Sequence, residues 1–135
     1  MSARLFAPAA YWSLSPDARA ELNGCGPAGW KGKLIPDHIL LVSIKPACDI
    51  HDYMYAVGRT EADREEADRV FLNNILRIIE EKSQNWFTRM IRRRLALHYY
   101  AAVRDFGAIF FWDDKNPPET FRAIEEVAWT SIKTT

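Results

Sequence analysis

The sequence predicts an all-α protein with two long antiparallel helices at its centre. Two observations carry the class. Apolar residues recur three and four apart over long stretches, as in Ala67, Val70, Phe71, Ile75, Ile78 and Ile79. Each stretch is also bracketed by helix punctuation, with Pro, Thr or Asn at its start and Gly or paired Pro after its end. The totals fit one domain, 1–135: the chain has 135 residues, 48% apolar, with five Trp, enough to build a core.

Residues 1–13 are apolar but patternless and read as an extended arm. Ser15 caps a helix of about two turns with Pro16 at its first position, ending before Asn23. The segment 23–29, Asn-Gly-Cys-Gly-Pro-Ala-Gly, is too rich in Gly and Pro for regular structure. It reads either as a turn or as a loop whose exposed carbonyls wrap a hard cation. The run 38–44 is either extended or one helical turn. Pro46 opens a helix that stops at Gly58, in the usual place for a residue of positive φ. Thr60 caps the next helix, with Asp63 three residues on and acidic residues crowding its first turns. That helix runs to about Lys82.

Gln84-Asn85 breaks the pattern before a helix over about 86–110. Its inward candidates are Ile91, Leu95, Tyr99, Ala102, Phe106 and Ile109. A last amphipathic helix is expected over about 119–132. No internal repeat or low-complexity segment occurs.

Charge excludes one class of partner. Eighteen basic and eighteen acidic side chains give zero net charge, so nothing favours nucleic acid in general. No apolar run is long enough to span a membrane. A local cluster, Arg89, Arg92, Arg93 and Arg94 beside Trp86 and Phe87, reads either as a solvated face or as a contact with an anionic lipid surface. The N-terminus lacks the layout of a signal peptide, so a leader is missing or the chain stays inside its cell.

Chemistry concentrates in 47–55, Ala-Cys-Asp-Ile-His-Asp-Tyr-Met-Tyr. On a helix, Cys48, His51, Asp52 and Tyr55 fall within one broad face. Alone, His51 reads first as a satisfied core histidine. Asp68 changes that balance. It lies beside the apolar stripe of the next helix, where a carboxylate costs several kcal/mol unless paired. A short connection makes the two helices antiparallel and can bring Asp68 against the imidazole. The carboxylate would then fix the tautomer and leave the other ring nitrogen to accept a proton. Asp52 would face the glycine loop, and carboxylate plus carbonyls is the oxygen shell calcium takes.

These residues resemble the phospholipase A2 family. Cys48, His51, Asp52 and Tyr55 fit its Cys-x-x-His-Asp-x-x-Tyr pattern. Cys25-Gly26-Pro27-Ala28-Gly29 fits its calcium loop with one change, Ala28. Asp68 to Phe71 is similar to the Asp-x-x-Phe of the bacterial and fungal branch, and Tyr99-Tyr100-Ala101-Ala102-Val103 to its Tyr-Tyr-x-Ala-Val segment. The match covers about 20–107. Ala47 replaces one of two adjacent cysteines found in venom and pancreatic members, and their further disulfides are absent.

The resemblance implies a phospholipase A2-like, disulfide-stapled fold, with calcium held by the carbonyls of Gly24, Gly26 and Ala28 and the carboxylate of Asp52. It pairs Cys25 with Cys48, closing a loop of about two dozen residues for roughly 3 kcal/mol. The chain would then be secreted or extracytoplasmic. The implied activity is calcium-dependent hydrolysis of the sn-2 ester of glycerophospholipids. His51 is the general base, Asp68 orients it, and Tyr55 bonds Asp68, with Tyr99 a second candidate for that bond. The membrane surface would be met through Trp86, Phe87, Arg92 and Arg93. The alternatives are a catalytically silent domain of the same family that binds lipid or protein, and a helical interaction module in which His51 and Asp68 merely satisfy each other.

Overall fold

A computed structural model describes residues 4–20, 36–112 and 115. The elements run α1 (Ala9–Trp12), α2 (Pro16–Ala20), β1 (His38–Ile39), β2 (Val42–Ser43), α3 (Lys45–Val57), α4 (Glu61–Lys82), α5 (Trp86–Phe106) and α6 (Ala108–Phe111). The loop 23–29 and the helix expected over 119–132 lie outside the described residues.

The long helices start where local chemistry says they should. Thr60 and Asp63 form a reciprocal capping box, in which Asp63 N–H donates to Thr60 Oγ1 and Thr60 N–H to Asp63 Oδ2. The same carboxylate accepts the Arg59 N–H, then that of Thr60, and these bonds hold the Asp63 carboxyl below its ordinary range. Asn85 caps α5 by accepting the Thr88 N–H at 2.8 Å, and Ser15 caps α2 by accepting the Ala18 N–H at 3.1 Å.

Helix α4 is the central rod. Its start faces the end of α5, where Arg64 reaches the Arg104 carbonyl, and its end faces the start of α5, where Glu80 meets Arg93. On its other side Tyr55 meets Asp68 while His51 meets Phe71. Both neighbours are therefore antiparallel to α4. Ile75 and Ile79 of α4, Ala47 and Cys48 of α3, and Ala96 and Val103 of α5 fill the core between them. The fully buried residues of α5 are Ala96 and Val103, one heptad apart; of the six expected, Leu95, Tyr99 and Ala102 pack against that core partly buried, and Ile109 is buried on α6. Small side chains let the two helices approach, and Leu95, Tyr99 and Ala102 flank that seam partly buried.

The N-terminal arm is tied down by a polar residue. Asn74, fully buried on α4, accepts the Phe6 N–H at 2.7 Å and donates to the Phe6 carbonyl at 2.8 Å. One side-chain amide thus satisfies both backbone groups, as a neighbouring strand would.

Several expectations are corrected. The all-α character holds apart from one small sheet: 38–44 takes the extended alternative and forms a two-stranded antiparallel hairpin, with Ile39 opposite Val42. Its two-residue connection, Leu40-Leu41, takes positive φ at both positions, 42° and 69°. That conformation costs a leucine on the order of 1–2 kcal/mol. Of the two cysteines in the disulfide-stapled description, only Cys48 belongs to the described residues; no cysteine among them is free, and Cys25 lies outside. Cys48 is itself wholly buried in the core.

The helix expected over 86–110 breaks at Gly107. A Cβ there would overlap the Tyr55 hydroxyl. Gly58 is not in the left-handed region either, with φ −66° and ψ 152°. It is small because the Phe111 ring lies 2.6 Å from where its Cβ would sit. Both glycines therefore serve close approach rather than unusual backbone geometry. Gly107→Ala should lose about 1–3 kcal/mol in urea unfolding through overpacking against Tyr55. A variant as stable as the parent would show that the hydroxyl can move aside freely.

Candidate functional site

Helices α3 and α4 each contribute one half of a buried polar cluster. His51 is 9% exposed and Asp68 1%, and the His51 Nε2 lies 2.8 Å from Asp68 Oδ1. An ionised carboxylate only accepts, so Nε2 carries the proton and Nδ1 is left as the acceptor. Among the described residues nothing donates to Nδ1. Tyr55, one turn beyond His51, donates its hydroxyl to the same Asp68 oxygen at 2.6 Å. Its ring also packs on the imidazole, with centroids 4.1 Å apart. Phe71 covers the other side of the imidazole at 4.7 Å.

The structure therefore brings His51, Asp68 and Tyr55 together. Tyr99 stands elsewhere: its hydroxyl donates to the His38 carbonyl at 3.2 Å and so secures the hairpin. The second anchor of Asp68 is Arg64, which sequence reasoning missed. Its Nη1 reaches Asp68 Oδ2 at 3.3 Å and the Arg104 carbonyl at 3.1 Å. Nε and Nη2 grip Glu61 at 2.9 and 2.6 Å. Burial alone would pull this guanidinium down. The Glu61 hydrogen bond and the charges of Tyr55, Glu61 and Asp68 outweigh it and hold Arg64 above its ordinary range. A readable signal existed in the i, i+4 spacing of Arg64 and Asp68 on one helix face.

Burial, then the Asp68 charge and hydrogen bond, raise the Tyr55 phenol well above its usual value. Tyr55 consequently stays a donor at any pH where an ordinary tyrosine is protonated.

The calcium assignment is corrected. Among the described residues no group of three or more His, Cys, Asp or Glu could hold a metal ion. Asp52 is half-buried on α3, and its acidic neighbour Asp49 is engaged by Lys45 at 2.9 Å. Gly24, Gly26 and Ala28 lie outside the described residues. Of the four expected ligands the structure describes only Asp52.

The surface cluster is partly as expected. Trp86 is 69% exposed and Phe87 56%. The arginines are less free than a solvated face implies: Arg92 donates to Ser83 Oγ and the Leu40 carbonyl, and Arg93 to Glu80. Among the described residues no helix is long and apolar enough to cross a membrane.

Two tests follow from the cluster. Arg64→Met leaves a buried carboxylate short of its charge partner and should cost about 3–5 kcal/mol in denaturant unfolding. Tyr55 supplies a pH signature. Its folded pKa lies above the unfolded one, so its stabilisation is complete below about pH 10 and is lost as pH rises through the folded value. Tyr55→Phe should flatten the alkaline fall of stability, leaving the smaller part due to Tyr11 and Tyr99, which burial also raises. An unchanged alkaline slope would show that Tyr55 titrates normally.

Compared with known proteins, the chain matches no family model, no curated protein and no solved structure.

Proposed function

We propose that this chain is a phospholipase A2-like domain in which His51 acts as general base, activating water against a carboxylic ester of a phospholipid. The observation that carries the reading is the buried His51–Asp68 pair with Nδ1 left as an acceptor. A histidine kept only for packing needs neither a buried carboxylate at one nitrogen nor two further donors fixing that carboxylate.

The proton balance is simple. Nδ1 takes a proton from water, and the oxygen attacks the ester carbonyl. The imidazolium, held by Asp68, returns that proton to the departing alkoxide. A fatty acid and a lysophospholipid leave. Tyr55 and Arg64 position Asp68 and touch no reacting atom. Beside the α3–α4 seam, a groove of about 650 Å³ is lined by the apolar Phe6, Pro8, Met54 and Val70 and by the polar Glu66, Arg69 and Asn73, a mixed lining with room for an acyl chain.

A second reading is a catalytically silent domain that binds lipid or protein. It asks less of the described side chains. Trp12, Leu41, Trp86 and Phe87 are exposed large apolar side chains of the kind a binding surface uses. In this reading His51 and Asp68 only satisfy each other.

Fatty-acid release from mixed phospholipid vesicles decides between them, measured with calcium both supplied and chelated so that no metal is presupposed. Hydrolysis by the parent should vanish in His51→Ala and fall about 10²–10⁴-fold in Asp68→Asn. Vesicle binding with no release, unchanged by His51→Ala, would establish the silent domain instead.

A further inference from the structure

The hairpin tip is hard to explain by folding. Leu41 is 97% exposed and Leu40 44%, both with positive φ, in a two-residue turn that favours Asn-Gly. Neither local geometry nor burial retains leucine there. The root of the hairpin is rigid by contrast. Ile39 and Ile44 are fully buried, and Tyr99 holds the His38 carbonyl. A stiff stem thus presents two apolar side chains in a strained conformation, which is where function rather than stability sets the residue.

The tip has a fixed neighbour. Arg92 donates one nitrogen to the Leu40 carbonyl at 2.8 Å and another to Ser83 Oγ at 3.0 Å. One guanidinium therefore spans the tip and the corner between α4 and α5, from which Trp86 and Phe87 project three and four residues later. Basic charge is in excess at this corner. Arg89 and Arg93 share the single carboxylate of Glu80. Lys82, Arg92 and Arg94 add further cations, with Glu81 the remaining acid of that stretch.

We propose that the Leu40-Leu41 tip, with Trp86 and Phe87 beside it, is a membrane anchor that inserts into an anionic lipid surface. The leucines enter the acyl boundary, the aromatic rings sit at head-group level, and the surplus arginine charge faces lipid phosphates. This deepens the lipid reading above and rests on its lipid partner, not on turnover.

The test is flotation of the full chain with large vesicles of phosphatidylglycerol or of phosphatidylcholine. The parent should bind phosphatidylglycerol at least tenfold more tightly, with the difference shrinking in 0.5 M salt on the order expected from charge screening. Leu40→Asn/Leu41→Gly should bind at least tenfold more weakly than the parent. It should also melt no lower, because the new pair suits the turn. Trp86→Ser/Phe87→Ser should weaken binding by a comparable factor.

If the parent floats and the turn variant floats equally well, the anchor is overturned while the lipid reading stands. If the parent floats with neither lipid, both fall. Concentration-dependent dimerisation by sedimentation, lost in the turn variant and without flotation, would make this face a self-interface and also overturn the proposal. Fatty-acid release is scored separately, so failure of the hydrolytic reading is distinguishable from failure of the anchor.

Discussion

Asp68 is a carboxylate placed inside a hydrophobic seam, and much of the surrounding structure can be read as its compensation. Taking an ion out of water costs several kcal/mol, and only matched donors offset it. His51 and Tyr55 from α3 occupy one oxygen, and Arg64 from its own helix occupies the other. Each donor constrains something further away. The Tyr55 hydroxyl, together with the Val103 carbonyl, leaves no room for a Cβ at 107, where α5 gives way to α6. Arg64 ties the start of α4 to the end of α5 through the Arg104 carbonyl. The polar cluster and the helix packing are thus one arrangement, in which loss of any donor leaves a buried charge exposed to the others' geometry.

The second cluster of buried residues sits at this end of the seam. Ala67, Ala108, Phe111 and Trp112 pack with Tyr55. Lys115 lies over the Phe111 ring at 3.7 Å and donates to the Tyr55 carbonyl. Burial, then the nearby Arg59 charge, lowers its ammonium below the ordinary lysine range. At the opposite end, the arginines of α5 do structural work too. Arg92 joins hairpin to helix corner, and Arg89 donates to the Ser83 carbonyl at 3.2 Å. A run of basic residues that composition suggests is a solvated face is here partly a set of braces.

Legibility in the sequence differed by element. Helices α4 and α5 were readable because their capping residues act within one turn: Thr60 with Asp63, and Asn85 with Thr88. Asp68 was readable because a charge beside an apolar stripe calls for a partner, and a three-residue link from α3 leaves few places for that partner to be. The hairpin was ambiguous because Leu40-Leu41 lacks the turn residues its geometry favours. Asn74 and Arg64 were passed over because polar residues on a helix are most often solvated; Asn74 finds its partner in the N-terminal arm, whereas Arg64 finds Glu61 and Asp68 on its own helix and only the Arg104 carbonyl across the fold. The full calcium and disulfide expectations draw on residues 24–28, which lie outside the described residues; among the described residues no group of three or more His, Cys, Asp or Glu could hold a metal ion.

By itself, then, the sequence determined where the long helices α3, α4 and α5 begin and that His51, Tyr55 and Asp68 lie on faces able to meet, since capping and periodicity are local properties of a few consecutive residues. Tertiary structure alone decided which oxygen of Asp68 each donor takes, why 58 and 107 are glycines, and where the Leu40-Leu41 tip stands relative to Trp86. Those depend on distances between segments far apart in the chain, which packing sets and spacing along the chain does not encode.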